Sequence, residues 1–296
     1  MPIPRPAGPF SSAHPSRAAL SLLVAVLLAG CVPTPESVVP AEVSAEVRGL
    51  RVPFDDFTLS RLDIHTIEYA EDLLTRACMR ASGLDWELLP PPARTDTDPL
   101  HRRRYGVIEP KVAEHHGYHL PPPAPDQWAR EQVWRRREAL PPAGRRAAYG
   151  HDGQGGCRNT ARTRLAEGIP KIDRGRLNGF IGSTFEASQR LPAVVAAFGA
   201  WSGCMKDRGF AYRTPLDAVS DPAWTSSAQA SPREIAAARA DVGCKRATGL
   251  VAAWSAAEKA VQLDAIAAHR AEFDRFRQAR DAELGAARRL SSGSTQ

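Results

Sequence analysis

Two stretches of this chain repeat one another. Cys78-Met79-Arg80-Ala81-Ser82-Gly83-Leu84-Asp85-Trp86 and Cys204-Met205-Lys206-Asp207-Arg208-Gly209-Phe210-Ala211-Tyr212 both read C-M-basic-x-x-G-apolar-x-aromatic. Apart from the initiator, Met79 and Met205 are the only methionines, so chance is a poor account of the match. Each box reads as a helix terminus. Leu62, Ile67, Ala70, Leu73, Leu74 and Ala77 recur at helical spacing and lead into Cys78. Gly83 and Gly209 fall where a helix closes on a left-handed residue, a conformation glycine adopts without a Cβ clash. The apolar residue after each glycine can fold back onto the last turn, and Arg80 and Lys206 lie near the negative end of the helix dipole.

The partner cysteines are also alike: Gly156-Cys157-Arg158 and Gly243-Cys244-Lys245. Four cysteines in an exported chain read as two disulfides, and three pairings are open. The internal similarity favours two related units, each closing its own bridge, Cys78–Cys157 and Cys204–Cys244. A Cys78–Cys204 bridge would join the units instead. A redox or metal-binding thiol set is disfavoured, because there is no C-x-x-C and no close Cys/His pair.

The fifth cysteine stands apart. Leu28-Ala29-Gly30-Cys31 closes an apolar run from Ala18 to Leu28, preceded by Arg5 and Arg17. The run has signal-peptide length and is too short to span a bilayer. The segment resembles the lipobox of bacterial lipoproteins, which implies removal of residues 1–30 and lipid on Cys31. The plainer alternative is a buried helix that ends in Cys. The expected location is the extracytoplasmic face of the cell membrane, held through the Cys31 lipid, and no later apolar run is long enough to cross a membrane.

The leader carries two Arg and no acid, so its loss lowers the net charge from +6 to +4. That mild, dispersed charge argues against nucleic acid as a partner and suits a solvated surface near anionic lipid or wall polymer. Low aromatic content and abundant Ala, Arg and Pro favour helices joined by stiff loops.

The expected organisation is a signal peptide (1–30), a lipid-anchored flexible tether (31–58), a helical domain (59–290) and a disordered tail (291–296). The domain divides into unit one (59–170) and unit two (171–290). The expected fold class is all-α: a disulfide-stapled helical domain of two related helix-Cys units, a Pro-rich insertion and a long C-terminal helix. Helices are expected over Leu59–Ser82, Asp126–Glu138, Gly156–Ala166, Asp173–Arg190 and from Pro192 to Cys204. The insertion, about Leu89 to Gly150, carries Pro90-Pro91-Pro92, Pro121-Pro122-Pro123 and Pro141-Pro142. The last helix begins at Ser231-Pro232-Arg233-Glu234, an N-cap serine, a first-turn proline and a capping-box glutamate, and runs proline-free to about Leu290. Its distal stripe, Leu263, Ile266, Phe273, Phe276 and Leu284, is expected to rest against the first helix or to dock on a partner.

Sites of chemistry are sparse. In Glu114-His115-His116-Gly117-Tyr118-His119, His115 and His119 would share a face of a helix, making them weak metal candidates. Gly117 and the following prolines argue against that helix, so an exposed loop is preferred and no metal or cofactor is assigned. Asp96-Thr97-Asp98 begins like a calcium loop but lacks the glycine and the closing glutamate. His101-Arg102-Arg103-Arg104-Tyr105 and Arg135-Arg136-Arg137 are basic clusters. No G-x-S-x-G, S-x-x-K, H-E-x-x-H or phosphate-cradling loop is present, so no catalytic residue is assigned. Trp128, Trp134, Trp201, Trp224 and Trp254 read as core residues except where the insertion exposes them.

The lipobox, the paired boxes, Arg104-Tyr105-Gly106 and Gly117-Tyr118-His119 together resemble a group of uncharacterised secreted lipoproteins of high-GC (actinobacterial-type) bacteria. The resemblance runs from about Thr66 to Leu250 and implies no functional residues beyond the cysteines. The sequence thus points to a membrane-anchored lipoprotein that is a non-catalytic binding or structural module, with an envelope protein or wall polymer as partner. The alternative is a cell-wall-acting hydrolase using scattered carboxylates, which have no local signature.

Overall fold

A computed structural model describes residues 42–151, 154–224 and 227–293. The fold is all-α and disulfide-stapled, with twelve α-helices, two 3₁₀ turns and no strand among the described residues. The signal peptide, Cys31 and the tether as far as residue 41 lie outside them, as do residues 294–296.

The N-terminal part contains α1 (Ala45–Gly49), a 3₁₀ turn (Pro53–Asp56) and α2 (Arg61–Ala81). The insertion holds α3 (Pro110–His116), α4 (Pro125–Glu138) and α5 (Pro142–Tyr149), followed by α6 (Gly156–Leu165). Then come α7 (Arg174–Gln189), α8 (Pro192–Asp207), α9 (Pro215–Val219), a second 3₁₀ turn (Pro222–Trp224), α10 (Pro232–Thr248), α11 (Leu250–Ala268) and α12 (Arg270–Gly293). Ser60 opens α2 with a capping box to Asp63, satisfying two orphan donors reciprocally. Prolines occupy the first turn of α3, α4, α5, α8, α9 and α10, where a missing N–H costs nothing.

Both cysteine boxes end as their glycines require. Gly83 has φ +71° and Gly209 φ +86°. Leu84 N–H donates to Met79 O and Phe210 N–H to Met205 O, each at 3.0 Å. The bridges Cys78–Cys157 (Cα–Cα 5.6 Å) and Cys204–Cys244 (5.7 Å) staple α2 to α6 and α8 to α10.

Three expectations, on the tether, the last helix and the tail, need correction. The tether is not free over residues 42–58: Val43, Val47, Val52, Phe54 and Phe57 are buried, and Phe54 and Phe57 pack on Phe273. Their apolar spacing follows no helix or strand period, which is why they read as linker. The two units, each with its own bridge as expected, share one core. Tyr105, Val107, Val112, Ala113 and Tyr118 of the insertion share a core with Val194, Trp201 and Trp254, and α2 lies along α12. The long C-terminal helix is three helices, broken at Gly249, which is left-handed at φ +64°, and at His269. The tail is helical through Gly293.

The distal stripe rests on the fold. Phe273 and Phe276 join Phe54, Phe57 and Leu177 in one cluster, and Ala287 packs with Ala70 and Leu165 in another.

Candidate functional site

The insertion is wired into the core by its own charges. Arg104 Nε donates to both oxygens of Glu258 at 2.9 Å, and Tyr105 Oη donates to Glu258 Oε2 at 2.9 Å. Glu258 also accepts from Gln262 Nε2, whose own Oε1 accepts from Phe54 N–H at 3.0 Å. At Gly106 a Cβ would lie 2.7 Å from Lys245 Nζ; this close approach lets Lys245 reach Val107 O at 2.9 Å and Asp241 Oδ2 at 2.8 Å. Burial pushes Asp241 up and Lys245 down, while their mutual attraction opposes both shifts.

Gly117-Tyr118-His119 makes the second attachment. A Cβ on Gly117 would lie 2.7 Å from Glu234 Oε1. That oxygen accepts from Tyr118 N–H (2.8 Å), His119 N–H (3.2 Å) and His119 Nδ1 (2.7 Å). The Glu234 side chain is therefore spent on the insertion, not on closing a capping box, although Ser231 Oγ does accept from Glu234 N–H. His119 Nε2 faces Ser227 O at 2.9 Å. With an acceptor at each ring nitrogen the imidazolium is favoured. The Ser227 carbonyl and then the Glu234 carboxylate raise its pKa.

The metal candidates do not meet. Helix α3 stops at Gly117 (φ +56°), so His115 is helical and His119 is not. His115 Nδ1 bonds Lys111 O. No group of three or more His, Cys, Asp or Glu among the described residues is placed to hold an ion.

Most of the first basic cluster and Arg137 of the second turn inward, while Arg135 and Arg136 pair at the surface. Arg102 pairs with Glu109 and Arg104 with Glu258; Arg103 donates to the Tyr118 and His119 carbonyls. Arg135 pairs with Glu131, Arg136 with Glu87 and Arg137 with Asp72. Arg137 lies over the rings of both Trp86 and Trp134, and Arg158 over Trp134 and Tyr149. Alternating aromatic and guanidinium groups thus cement α4, α5 and α6 around the first disulfide, with further cation–π attraction. The buried acids Glu71, Asp72, Glu109, Glu234, Asp241 and Glu258 each carry a basic partner.

The exposed residues of the insertion include large apolar ones. Leu120 is 77% exposed and Trp128 50% exposed. Between them Pro121–Pro123 and Pro125 form one wall of a groove of about 570 Å³, whose other side includes Glu42, Val43, Arg48 and Thr97. Pro125 and Trp128 lie three apart at the start of α4 and share a face. Trp201, Trp224 and Trp254 are buried, so Trp128 is the indole that the insertion exposes.

A smaller cavity of about 220 Å³ holds the acids Asp55, Asp63 and Asp96 with His101 and Arg280. His101 Nε2 lies 2.6 Å from Asp55 Oδ1. Burial would raise the Asp55 pKa, but the His101 hydrogen bond and charge, Val52 N–H and Arg51 together hold it below the usual carboxylate value. Asp63 spends its Oδ2 on capping Ser60. Asp55 is thus held in its charged form, whereas glycoside hydrolysis needs one carboxyl kept protonated as acid. No family model, no curated protein and no solved structure matches this chain.

Proposed function

We propose that this chain is an exported lipoprotein, anchored through lipid on Cys31, whose helical domain is a non-catalytic binding or structural module at the extracytoplasmic face of the cell membrane. The observation that carries the reading is the division of labour within the insertion. Arg104 and His119 are consumed in fixing it to α11 and α10 and Arg102 and Arg103 in bracing it internally, while Leu120, Trp128, Pro123 and Pro125 are left exposed. Two disulfides support an oxidising compartment. The rival is a wall-acting hydrolase using scattered carboxylates; in the cavity that gathers Asp55, Asp63 and Asp96, the charged Asp55 is a poor proton donor.

Labelling cells with a clickable fatty acid tests the anchor. The wild-type chain should take up label and fractionate with membranes. Cys31→Ser should be unlabelled and either remain an uncleaved precursor or appear in the medium. A Cys31→Ser chain still processed and membrane-bound would overturn the anchor. Release of soluble wall fragments by the purified protein, abolished in Asp55→Asn, would favour the hydrolase.

A further inference from the structure

We infer that the strip Leu120–Pro123–Pro125–Trp128 is a bilayer-docking surface that seats the domain directly on the membrane. The inference rests on the lipoprotein reading and names what the strip meets. Leu120 and Trp128 are two of the few large hydrophobic side chains left exposed among the described residues. Pro121–Pro123 hold residues 120–124 out of regular secondary structure, since each lacks a backbone N–H and fixes φ, and Pro125 and Trp128 sit in the first turn of α4. The rigid strip therefore loses little further freedom on docking.

Two observations favour a lipid surface as the occupant. The first is where the chain enters the fold. Glu42 lines the same groove as Leu120 and Pro121–Pro125. Glu42 lies eleven positions after Cys31, a reach of at most about 40 Å when fully extended. A lipid on Cys31 therefore keeps the groove edge at Glu42 within that distance of the headgroups. The second is the chemistry of Trp128, an indole half in solvent with the Arg135 guanidinium over its ring at 5.7 Å. Trp has an apolar body and one N–H, which suits the water–lipid boundary, and an arginine beside it suits phosphate headgroups.

Trp128 supplies its own reporter, because Trp86, Trp201, Trp224 and Trp254 are buried and Trp134 is covered by Arg137 and Arg158. Full-length protein purified from membranes would be reconstituted into vesicles of equal parts phosphatidylcholine and phosphatidylglycerol, with or without bromine on the acyl chains. Bromine quenches only indoles that reach the acyl region. Tryptophan emission should fall in brominated vesicles, and Trp128→Phe should abolish that difference. Leu120→Asp, which keeps the reporter, should lower the quenched fraction about tenfold if its side chain enters the apolar layer.

Equal emission in the two vesicle types, or quenching that survives Trp128→Phe, would overturn the docking strip. Intact mass on the same sample reads lipidation separately. A lipidated chain without quenching sinks the strip and spares the anchor. An unlipidated chain that still quenches when added to vesicles sinks the anchor and keeps the strip.

Discussion

Met79 and Met205, 126 positions apart in the chain, occupy the same place in two copies of one structural device. Each is fully buried, each follows a bridged cysteine, and each carbonyl accepts the N–H of the apolar residue beyond a left-handed glycine at 3.0 Å. The N–H of Gly83 likewise bonds Arg80 O, and that of Gly209 bonds Lys206 O. The helix end, the glycine and the staple thus form one unit of design used twice. Because both glycines lie at positive φ with open space around the missing Cβ, the cost of a side chain there is backbone strain alone. Gly83→Ala and Gly209→Ala should each destabilise by about 1 kcal/mol. Met79→Ala and Met205→Ala remove packed core and should each cost about 2–5 kcal/mol. Urea unfolding separates the two classes, and equal costs for glycine and methionine variants would contradict the assignment.

The Arg104–Glu258 pair spans 154 residues and is the insertion's main lock on α11. Glu258 is wholly buried and the Arg104 side chain is 15% exposed. Removing one partner leaves the other charge stranded, which typically costs about 3–5 kcal/mol. Arg104→Met should therefore destabilise strongly. The double variant Arg104→Met with Glu258→Gln should recover part of the loss, read from a double-mutant cycle in urea. A simple sum of the two single effects would mean that the pair does not act as a unit.

Much of this architecture was legible in the sequence, and what escaped did so for a physical reason. Helix starts at Pro192 and Ser231 announced themselves through a first-turn proline and capping chemistry, and the pairing of the cysteines through the likeness of their neighbours. Local rules reach that far and no further. That Arg104-Tyr105-Gly106 and Gly117-Tyr118-His119 are clamps on Glu258, Lys245 and Glu234 depends on partners more than a hundred residues away, for which adjacent sequence holds no signal. Phe54 and Phe57 were hidden similarly, because two aromatics in an aperiodic segment look alike whether they meet a core or water. The capping-box glutamate misled in the opposite sense: Glu234 fits the local motif, but tertiary donors outbid it.

His119 gives the fold a pH dependence of definite sign. Its pKa is raised in the folded chain by the Ser227 carbonyl and by Glu234. The stabilisation is therefore fully present below the unfolded value of about 6.5 and is lost as pH rises through the higher folded value. The melting temperature should decline across that window in the wild-type chain. In His119→Gln, which retains one hydrogen bond and no titration, that decline should flatten. An unchanged slope in His119→Gln would remove His119 as its source.

The two staples close loops of 79 and 40 residues. On chain entropy each stabilises by about 4 kcal/mol, with little difference between them because the dependence on length is logarithmic. Replacing Cys78 and Cys157 together by Ser, or Cys204 and Cys244 together, should lower stability by similar amounts, about 2–5 kcal/mol. Non-reducing peptide mapping of the wild-type protein should recover these two pairs. A Cys78–Cys204 peptide would refute the internal duplication.

The last prediction concerns α12. Phe273 is 1% exposed and stacks on Phe54 at 5.0 Å, meets Phe57 edge-on at 4.8 Å, and lies 5.1 Å from Phe180 of α7. Farther along, Ala287 is buried against Ala70 of α2 and Leu165 of α6, with Ile67, Leu74 and Leu290 packed around them. Helix α12 therefore closes the side of the fold that α2 leaves open, and the segment entering from the N terminus depends on it. Truncation after Val261 also removes Gln262, whose carbonyl takes the Phe54 N–H. That variant should lose cooperative unfolding outright. Phe273→Ala is the milder probe. Loss of one buried aromatic costs about 3–5 kcal/mol, or about 10 °C in melting temperature for a domain of this size. Protease cleavage near Phe54 should rise in parallel, since the partner ring that holds it is gone. A Phe273→Ala protein that melts like wild type would show that α12 is a passenger on the fold and that its apolar stripe serves something outside it.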